Sequence, residues 1–367
     1  MSITLTVVLF RVWRTAGILA DQPRCRRPRT GTTIRSMTFR TDEDRTVANP
    51  ATNVPDTKAD TRGAPTLEPT ALDAYYGPIE ELGLAQYVNR LDNFGYTVVP
   101  PEVVAPPEFL ERITNAVLRV ATERTGVEHR LGANGDPGKY TNTIFGDSKA
   151  NAQYLLFYLL FEDEVFEEWF ENPVFAAIMD YIMCGAGRFS NIDSFVKWKT
   201  QDVGDTLSLG LHTDGPASPE GVLPFSHDMV CNAALCLTDY TKADGCIAMV
   251  PGSHRLGRNP GPGEGVDKAV PVEAPRGSLI VWHGNTWHGA YPKLTDGLRL
   301  NVTTLHCNYA LKTQHKYGRD VIPDAMLARR SKRFRRMMGV DDPMGWTTNG
   351  PDPALWPTRH KRTHETN

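Results

Sequence analysis

Apolar and polar positions divide the chain into a helical first part and a β-rich second part. Apolar residues recur at helical spacing over 84–91, 109–125 and 165–183, and a mostly apolar stretch at 151–161 also favours a helix. The run 94–99 between the first two has the composition of a strand. After residue 187 the apolar runs shorten, and Gly, Pro or Asp separates them; these runs predict strands at 191–199, 206–211, 230–237, 246–250, 279–282 and 298–309.

Many short strands that follow a set of helices indicate a mainly β fold with flanking helices. We expect a sandwich or barrel of the jelly-roll type, with the N-terminal helices packed outside the sheet. The two ends of the chain lack this patterning: residues 41–70 are rich in Thr, Asp, Pro and Ala, and residues after 340 are rich in Pro, Gly, Trp and Thr. We therefore predict a disordered extension over 1–70, one folded domain over 71–340 and an irregular tail over 341–367.

Charge excludes one class of function. The first 70 residues hold 11 Lys and Arg against 7 Asp and Glu, so the remaining chain carries 29 basic and 36 acidic side chains. An acidic domain of this kind lacks the basic surface that neutralises phosphates, which argues against nucleic-acid binding. A basic cluster at 329–336 either forms a solvated helix face, which is the commoner case, or meets an anionic substrate tail.

The N-terminal segment and the cysteines indicate in which cellular compartment the protein is expected. The apolar run at 3–10 is much shorter than the roughly 20 residues that cross a bilayer, so no membrane span is expected. None of the six cysteines forms a CxxC pair, which indicates free thiols in a reducing compartment. We expect a cytoplasmic protein; the Arg-rich segment 11–40 has the composition of a mitochondrial transit peptide, which is the alternative. The pattern indicates no particular oligomeric state.

The strand at 206–211 runs into a candidate pair of metal ligands, His212 and Asp214. Side chains two apart on a strand point the same way, so both can face one ion while Thr213 faces away. A neutral imidazole and a carboxylate suit Fe(II). A single His-x-Asp arises by chance in many chains, so this pair needs a third ligand.

The third ligand is expected at His288, which follows the apolar strand at 279–282. Two histidines and one carboxylate on one side of an iron leave three positions open, as in non-haem Fe(II) oxygenases. Arg299 comes 11 residues later on the polar side of the next predicted strand, together with Asn301 and Thr303. A buried guanidinium needs an anion, and its planar fork suits a carboxylate; the alternative is a structural salt bridge.

These motifs together resemble the phytanoyl-CoA dioxygenase family of Fe(II)- and 2-oxoglutarate-dependent oxygenases. The resemblance covers about residues 91–309 and rests on the Phe-Gly-Tyr strand at 94–99, the His-Thr-Asp motif at 212–214, Pro-Gly-Ser-His at 251–254, Arg-Gly-Ser-Leu at 276–279, and His288-Gly289 with Arg299. It implies a double-stranded β-helix (cupin-like) core and an iron bound by His212, Asp214 and His288. It also implies that Arg299 anchors 2-oxoglutarate. His283 is a competing candidate for the last ligand, but Gly289 and the spacing to Arg299 favour His288.

The implied activity is a dioxygenase that uses O2 and 2-oxoglutarate to hydroxylate a small organic substrate, with release of succinate and CO2. Halogenating relatives have Gly or Ala at the carboxylate position, so Asp214 argues against halogenation. Lys197, Lys199, Gln201 and Thr303 are candidates for further cosubstrate contacts, and His254 for stabilising its turn. Two alternatives stay open: a non-catalytic cupin-like binding protein, and an iron oxygenase that does not use 2-oxoglutarate.

Overall fold

Two larger antiparallel sheets and a two-stranded ribbon of Trp346–Thr347 and Gly350–Pro351 make up the β part of the fold that the structure describes. The structure is a computed structural model, and it describes residues 73–140, 152–200, 207–214, 229–318, 320–340, 346–347 and 349–351. In chain order the strands are β1 Tyr96–Val99, β2 Gln153–Leu156, β3 Gly187–Lys197, β4 Leu209–His212, β5 Val230–Cys236, β6 Ile247–Met249, β7 Val270–Val272, β8 Leu279–His283, β9 His288–Ala290, β10 Arg299–Asn308, β11 Trp346–Thr347 and β12 Gly350–Pro351.

The larger sheet has six strands in the order β1-β8-β5-β10-β3-β2, and the smaller has four in the order β4-β9-β6-β7. Every pairing within these sheets is antiparallel. Apart from β2-β3 and β6-β7, neighbours in both orders are not consecutive in the chain, as expected of a jelly roll. The predicted mainly β fold of jelly-roll type with flanking helices is confirmed. The predicted extension over 1–70 lies outside the described residues, as does most of the predicted tail.

Helices precede and follow the β region. They are α1 Asp73–Glu81, α2 Ala85–Phe94, α3 Pro101–Val104, α4 Pro107–Thr125, α5 Glu164–Phe170, α6 Pro173–Ile182, α7 Asp324–Arg329 and α8 Lys332–Met337. The predicted helix at 165–183 is two helices, because Asn172 caps α6 by accepting a hydrogen bond from Phe175 N–H and Pro173 occupies its first turn. No helix in the described ranges is long and apolar enough to cross a membrane.

The prediction of a helix at 151–161 is wrong. Residues Gln153–Leu156 form β2, an edge strand paired with β3, and only the last three residues form a 3₁₀ turn, Leu159–Phe161. All four residues of β2 are buried, and a short apolar run that is buried on both faces has no periodicity that separates a strand from a helix.

Three arginines of the basic cluster at 329–336 form ion pairs with carboxylates of α5 and α6. Arg329 and Arg330 both pair with the buried carboxylate of Glu167. Arg333 forms a two-pronged ion pair with Asp180, at 2.7 and 3.0 Å. These pairs dock the C-terminal helices onto α5 and α6. Arg329 is still exposed to solvent, but all three guanidinium groups already pair with carboxylates, which disfavours a role in binding an anionic substrate tail.

A histidine, His306 of β10, lies in the core between the helices and the larger sheet. It is fully buried, and within the described ranges neither ring nitrogen has a hydrogen-bond partner. Three phenylalanines surround it, with ring centroids 4.9 to 6.3 Å away: Phe170, Phe175 and Phe189. Burial, and secondarily the nearby Arg333, hold the pKa of His306 well below its usual range, so it is a neutral side chain that fills apolar space.

Candidate functional site

Three side chains meet at one end of the smaller sheet. His212 ends β4 and stands opposite His288, the first residue of β9, while Asp214 follows two residues after His212. Gly289 makes this close approach possible, because a Cβ there would collide with the carbonyl oxygen of Leu209. The strand pairing therefore brings together the three residues that the sequence pattern singled out.

The potential ligand atoms are close enough to share one ion. One atom from each of His212, Asp214 and His288 lies within 4.8 Å of the others. The Nε2 atoms of His212 and His288 lie 3.7 and 3.1 Å from the Asp214 carboxylate oxygens. In the described part of the chain, no other group of three His, Cys, Asp or Glu residues meets this criterion.

Hydrogen bonds turn the free nitrogens of both imidazoles toward this point. Nδ1 of His212 lies 2.9 Å from the Gly210 carbonyl oxygen, and Nδ1 of His288 lies 2.9 Å from that of Thr286. A carbonyl can only accept, so each Nδ1 donates its proton there and each Nε2 is the ring nitrogen that faces the proposed ion position. Asn232 of β5 donates to Asp214 Oδ2 at 2.9 Å and fixes the carboxylate. Residues around metal ligands commonly act in this way, so the donor set fits a divalent metal.

The pKa shifts of the three proposed ligands also fit a divalent metal. Burial and the neighbouring His288 lower the pKa of His212, which keeps that imidazole neutral. Burial opposes ionisation of Asp214, but His288 outweighs it and the pKa of the carboxyl is lowered. Burial alone would lower the pKa of His288, yet the adjacent carboxylate raises it. In the metal-free protein a proton on Nε2 of His288 faces the Asp214 carboxylate, 3.1 Å away, and a divalent cation would displace it.

The triad opens onto a cavity of about 280 Å³ between the two sheets. His212, Asp214 and His288 lie on one side of it, and Arg299 and Thr303 of β10 on the other. Further lining residues come from both sheets and the loops: Gln153, Leu155, Phe157, Asn191, Asp193, Phe195, Leu209, Asn232, Ile247, Trp282, Gly289, Ala290, Asn301, Leu305 and Gln314. A small molecule can therefore reach the open side of a metal held by the triad.

Arg299 has the properties of an anion anchor. It is 4% exposed, and its guanidinium makes one long hydrogen bond, to the Gly245 carbonyl oxygen at 3.3 Å, and rests on the Tyr240 ring at 4.7 Å. Its Nε has no partner, and no carboxylate in the described ranges pairs with it. A buried guanidinium that lacks an anion is costly, so the structure disfavours the alternative of a structural salt bridge within these ranges.

The other cosubstrate candidates differ in position. Lys197 stands opposite Arg299 in the ladder, but it does not line the cavity, and its Nζ donates to Ser208 Oγ at 2.9 Å and to the Tyr291 carbonyl oxygen at 2.7 Å. Thr303 does line the cavity, and its hydroxyl donates to a backbone carbonyl oxygen at 3.3 Å. Lys199 pairs with Asp296 at the surface, and Gln201 lies outside the described residues.

Neither His283 nor His254 belongs to the triad. His283 ends β8 and packs against His254, with ring centroids 5.1 Å apart. His254 lies 3.2 Å from the Asp92 carbonyl oxygen, and burial beside His283 lowers its pKa to about 4. The turn that contains it is tied to the triad strand, because Ser253 Oγ accepts a hydrogen bond from the N–H of Trp287. These contacts support the turn-stabilising role predicted for His254.

Sequence reasoning missed two polar residues of the site, Asn232 and Asp193. Each lies inside a stretch that reads as a buried strand, and each is 5% exposed or less. The signal was present: a polar side chain in the middle of an otherwise apolar strand needs a partner inside the fold. What the sequence did not contain was the register that brings Asn232 to Asp214.

Comparison with known proteins identifies the sequence family. A sequence model of the family described as phytanoyl-CoA dioxygenase (PhyH) matches residues 91–301. The uncharacterised protein Rv1501 of Mycobacterium tuberculosis is 25% identical over 182 residues, which cover 48% of this chain and 63% of that protein. The dioxygenase himG of Aspergillus japonicus is 25% identical over 213 residues, which cover 49% and 64%. The chain thus spans less than two thirds of the length of these relatives.

Solved structures of similar shape include HygX from Streptomyces hygroscopicus, determined with nickel and 2-oxoglutarate bound. It is 17% identical to this chain, covers 67% of it and 94% of its own length, and superimposes with a TM-score of 0.47.

Proposed function

The chain belongs to the phytanoyl-CoA dioxygenase family of Fe(II)- and 2-oxoglutarate-dependent oxygenases, and from this premise we propose that His212, Asp214 and His288 hold the iron and that Arg299 binds the far carboxylate of 2-oxoglutarate. The observation that carries the proposal is their arrangement around one cavity: two imidazole Nε2 atoms and a carboxylate converge on one side, and a guanidinium without an anion lies on the other.

The reaction proposed is hydroxylation of a C–H bond in a small organic molecule. When bound, Fe(II) and 2-oxoglutarate supply the oxidative chemistry: one atom of O2 enters succinate, the other enters the substrate, and CO2 is released. Asp214 supports hydroxylation over halogenation, because its carboxylate occupies the position that a halide would need.

The protein's own residues provide orientation and exclude water. Asn232 holds Asp214, and the Gly210 and Thr286 carbonyl groups hold the two imidazole rings, so the three ligands are oriented before any ion arrives. Arg299 offers a bidentate fork for a carboxylate at a fixed distance from the triad, which sets the direction in which the cosubstrate extends. The apolar walls around Leu155, Phe195 and Ile247 limit the water that competes for the open metal positions.

The experiment that tests this proposal is anaerobic titration of the protein with Fe(II) and 2-oxoglutarate, followed by visible absorption. We expect a charge-transfer band in the wild type and its loss in Asp214→Ala. Thr213→Ala is a matched control, because Thr213 is adjacent in sequence but is not one of the three proposed ligands.

The possible outcomes separate the alternatives. No band in the wild type would favour a non-catalytic binding protein and overturn the proposal. Iron binding without any effect of 2-oxoglutarate would favour an oxygenase that uses another cosubstrate. If the band appears, a screen of small molecules that reads succinate release would identify the substrate.

A further inference from the structure

The cavity contains a second acidic side chain, Asp193 of β3, away from Arg299. In the ladder between β3 and β10, Arg299 stands opposite Lys197, and Thr303 stands opposite Asp193. Four residues along a strand separate these two levels by roughly 13 Å. Asn232, which holds the ligand Asp214, is paired with Leu305 at the same end of β10 as Thr303. Asp193 therefore lies near the level of the triad, beyond the part of the cavity assigned to 2-oxoglutarate.

Asp193 is buried but not satisfied. It is 2% exposed, and its Oδ1 accepts one long hydrogen bond, from the Tyr158 N–H at 3.2 Å. The same oxygen lies 3.1 Å from Nε2 of His315. No hydrogen bond within the described ranges ends on Oδ2. Burial raises the pKa of the Asp193 carboxyl, which expresses the cost of keeping a charge there without enough donors.

His315 lies close to Asp193 but is not aligned to donate a hydrogen bond to it. Its Nδ1 lies 3.0 Å from the Tyr317 hydroxyl, and that is the one hydrogen bond of this hydroxyl among the described residues. A buried phenol uses its proton best by donating it, so Nδ1 accepts and the imidazole proton sits on Nε2. Burial raises the pKa of Tyr317, which keeps it a phenol. Nε2 of His315 forms no hydrogen bond within the described ranges, despite its distance of 3.1 Å from Asp193 Oδ1, so His315 does not supply the carboxylate with an aligned donor.

The charge balance of the site with Fe(II) and 2-oxoglutarate bound also leaves Asp193 without a counter-charge. This step rests on the proposed function. Fe(II), Asp214, 2-oxoglutarate and Arg299 sum to zero when the cosubstrate carries two negative charges. Lys197 does not offset Asp193: it does not line the cavity, and burial together with Arg299 holds its pKa well below the usual range. One negative charge, on Asp193, remains in the described part of the lining.

We propose that Asp193 binds a protonated amino group of the substrate, which makes the substrate an organic amine. Oδ2 supplies the charged acceptor. Gln314 lies at the same end of the cavity, where its side-chain oxygen accepts a hydrogen bond from Asn191 at 2.5 Å and its amide N–H groups remain available for a polar substituent. Phe157 and Phe195 provide apolar walls for the carbon skeleton. The C–H bond that is oxidised lies between this amine and the metal.

The test uses amines and alcohols of the same carbon skeleton. Protein loaded anaerobically with Fe(II) and 2-oxoglutarate is titrated with butylamine and phenethylamine, and in parallel with 1-butanol and 2-phenylethanol. Binding is read from calorimetry and from the change in the charge-transfer band. Because hydrogen bonds to a charged group are the strong ones, we expect each amine to bind at least about tenfold tighter than its alcohol.

Two variants locate the effect. Asp193→Asn keeps an oxygen that accepts the Tyr158 N–H, and it should reduce the preference for amines to about twofold or less. Asp267→Asn, an exposed side chain with the same charge change, should keep the wild-type preference. Circular dichroism checks that Asp193→Asn is folded; the comparison of amine and alcohol on the wild type does not depend on that variant.

Failure of this inference and failure of the proposed function give different results. Equal affinity for amine and alcohol, no binding of either amine at millimolar concentration, or an amine preference that persists in Asp193→Asn would each overturn the inference. Failure of the proposed function shows earlier, as a missing charge-transfer band before any amine is added.

Discussion

The buried imidazole of His306 makes a prediction about acid stability that can be worked out in advance. An unfolded chain takes up a proton on this histidine below about pH 6.5, whereas the folded protein holds its pKa well below that value. The unfolded state therefore binds one more proton than the folded state, and the free energy of unfolding falls as the pH falls. The sign is fixed by the direction of the pKa shift, which follows from burial among Phe170, Phe175 and Phe189.

The magnitude follows from linkage. When the unfolded state binds one more proton, the free energy of unfolding changes by about 1.4 kcal/mol per pH unit. This slope is fully present below the pKa of the unfolded state and vanishes well above it. Integrated from pH 7.5 to pH 5.5, the contribution of His306 is a loss of about 1.4 kcal/mol. His306→Phe removes the titrating group and keeps an aromatic ring in the same apolar surroundings.

Urea unfolding of the metal-free protein at pH 7.5, 6.5 and 5.5, followed by circular dichroism, measures this loss. The wild type should lose about 1.4 kcal/mol more than His306→Phe over this range, because every other titrating group is common to both proteins. Phe175→Leu is the control: it damages the same cluster without a titrating group, so its effect should be independent of pH. Parallel stability profiles for the wild type and His306→Phe would refute the reasoning.

Three further predictions concern the site. Asn232→Ala should weaken metal binding by about 10- to 100-fold, because the Asp214 carboxylate loses the donor that orients it; calorimetry with Co(II) measures this, and an unchanged affinity would contradict the role. Arg299→Gln should raise the 2-oxoglutarate concentration needed for half-maximal succinate formation by about tenfold or more, while the affinity for Co(II) stays unchanged. If this concentration stays at the wild-type value, the anchor lies elsewhere. Gly289→Ala should push β9 away from Leu209 and lower both metal affinity and thermal stability, whereas Gly210→Ala, where a Cβ meets open space, should do neither.

The site was more predictable from sequence than much of its surroundings. His212 and Asp214 were identifiable because two residues on one strand share a face, and the spacing from His288 to Arg299 added the rest of the pattern. These are local rules of strand geometry.

The contacts that could not be predicted from the sequence depend on how distant segments of the chain align with one another. The contact of Asn232 with Asp214, the level of Asp193 opposite Thr303, and the pairing of Arg333 with Asp180 each join segments that no local pattern connects. The error at β2 has a different origin: a four-residue run that is buried throughout lacks the alternation that identifies a strand.

The position of β10 in the larger sheet has a consequence for how the protein is made. This strand lies between β5 and β3, yet it is the last of the six in the chain, and its partner residues in β3 precede it by about a hundred positions. A ribosome must therefore deliver the chain beyond Asn308 before the middle of the sheet can close. Until then β3 and β5 expose unpaired edges, so folding should be slow for a domain of this size, and nascent or truncated chains that end before β10 should depend on chaperones to avoid aggregation.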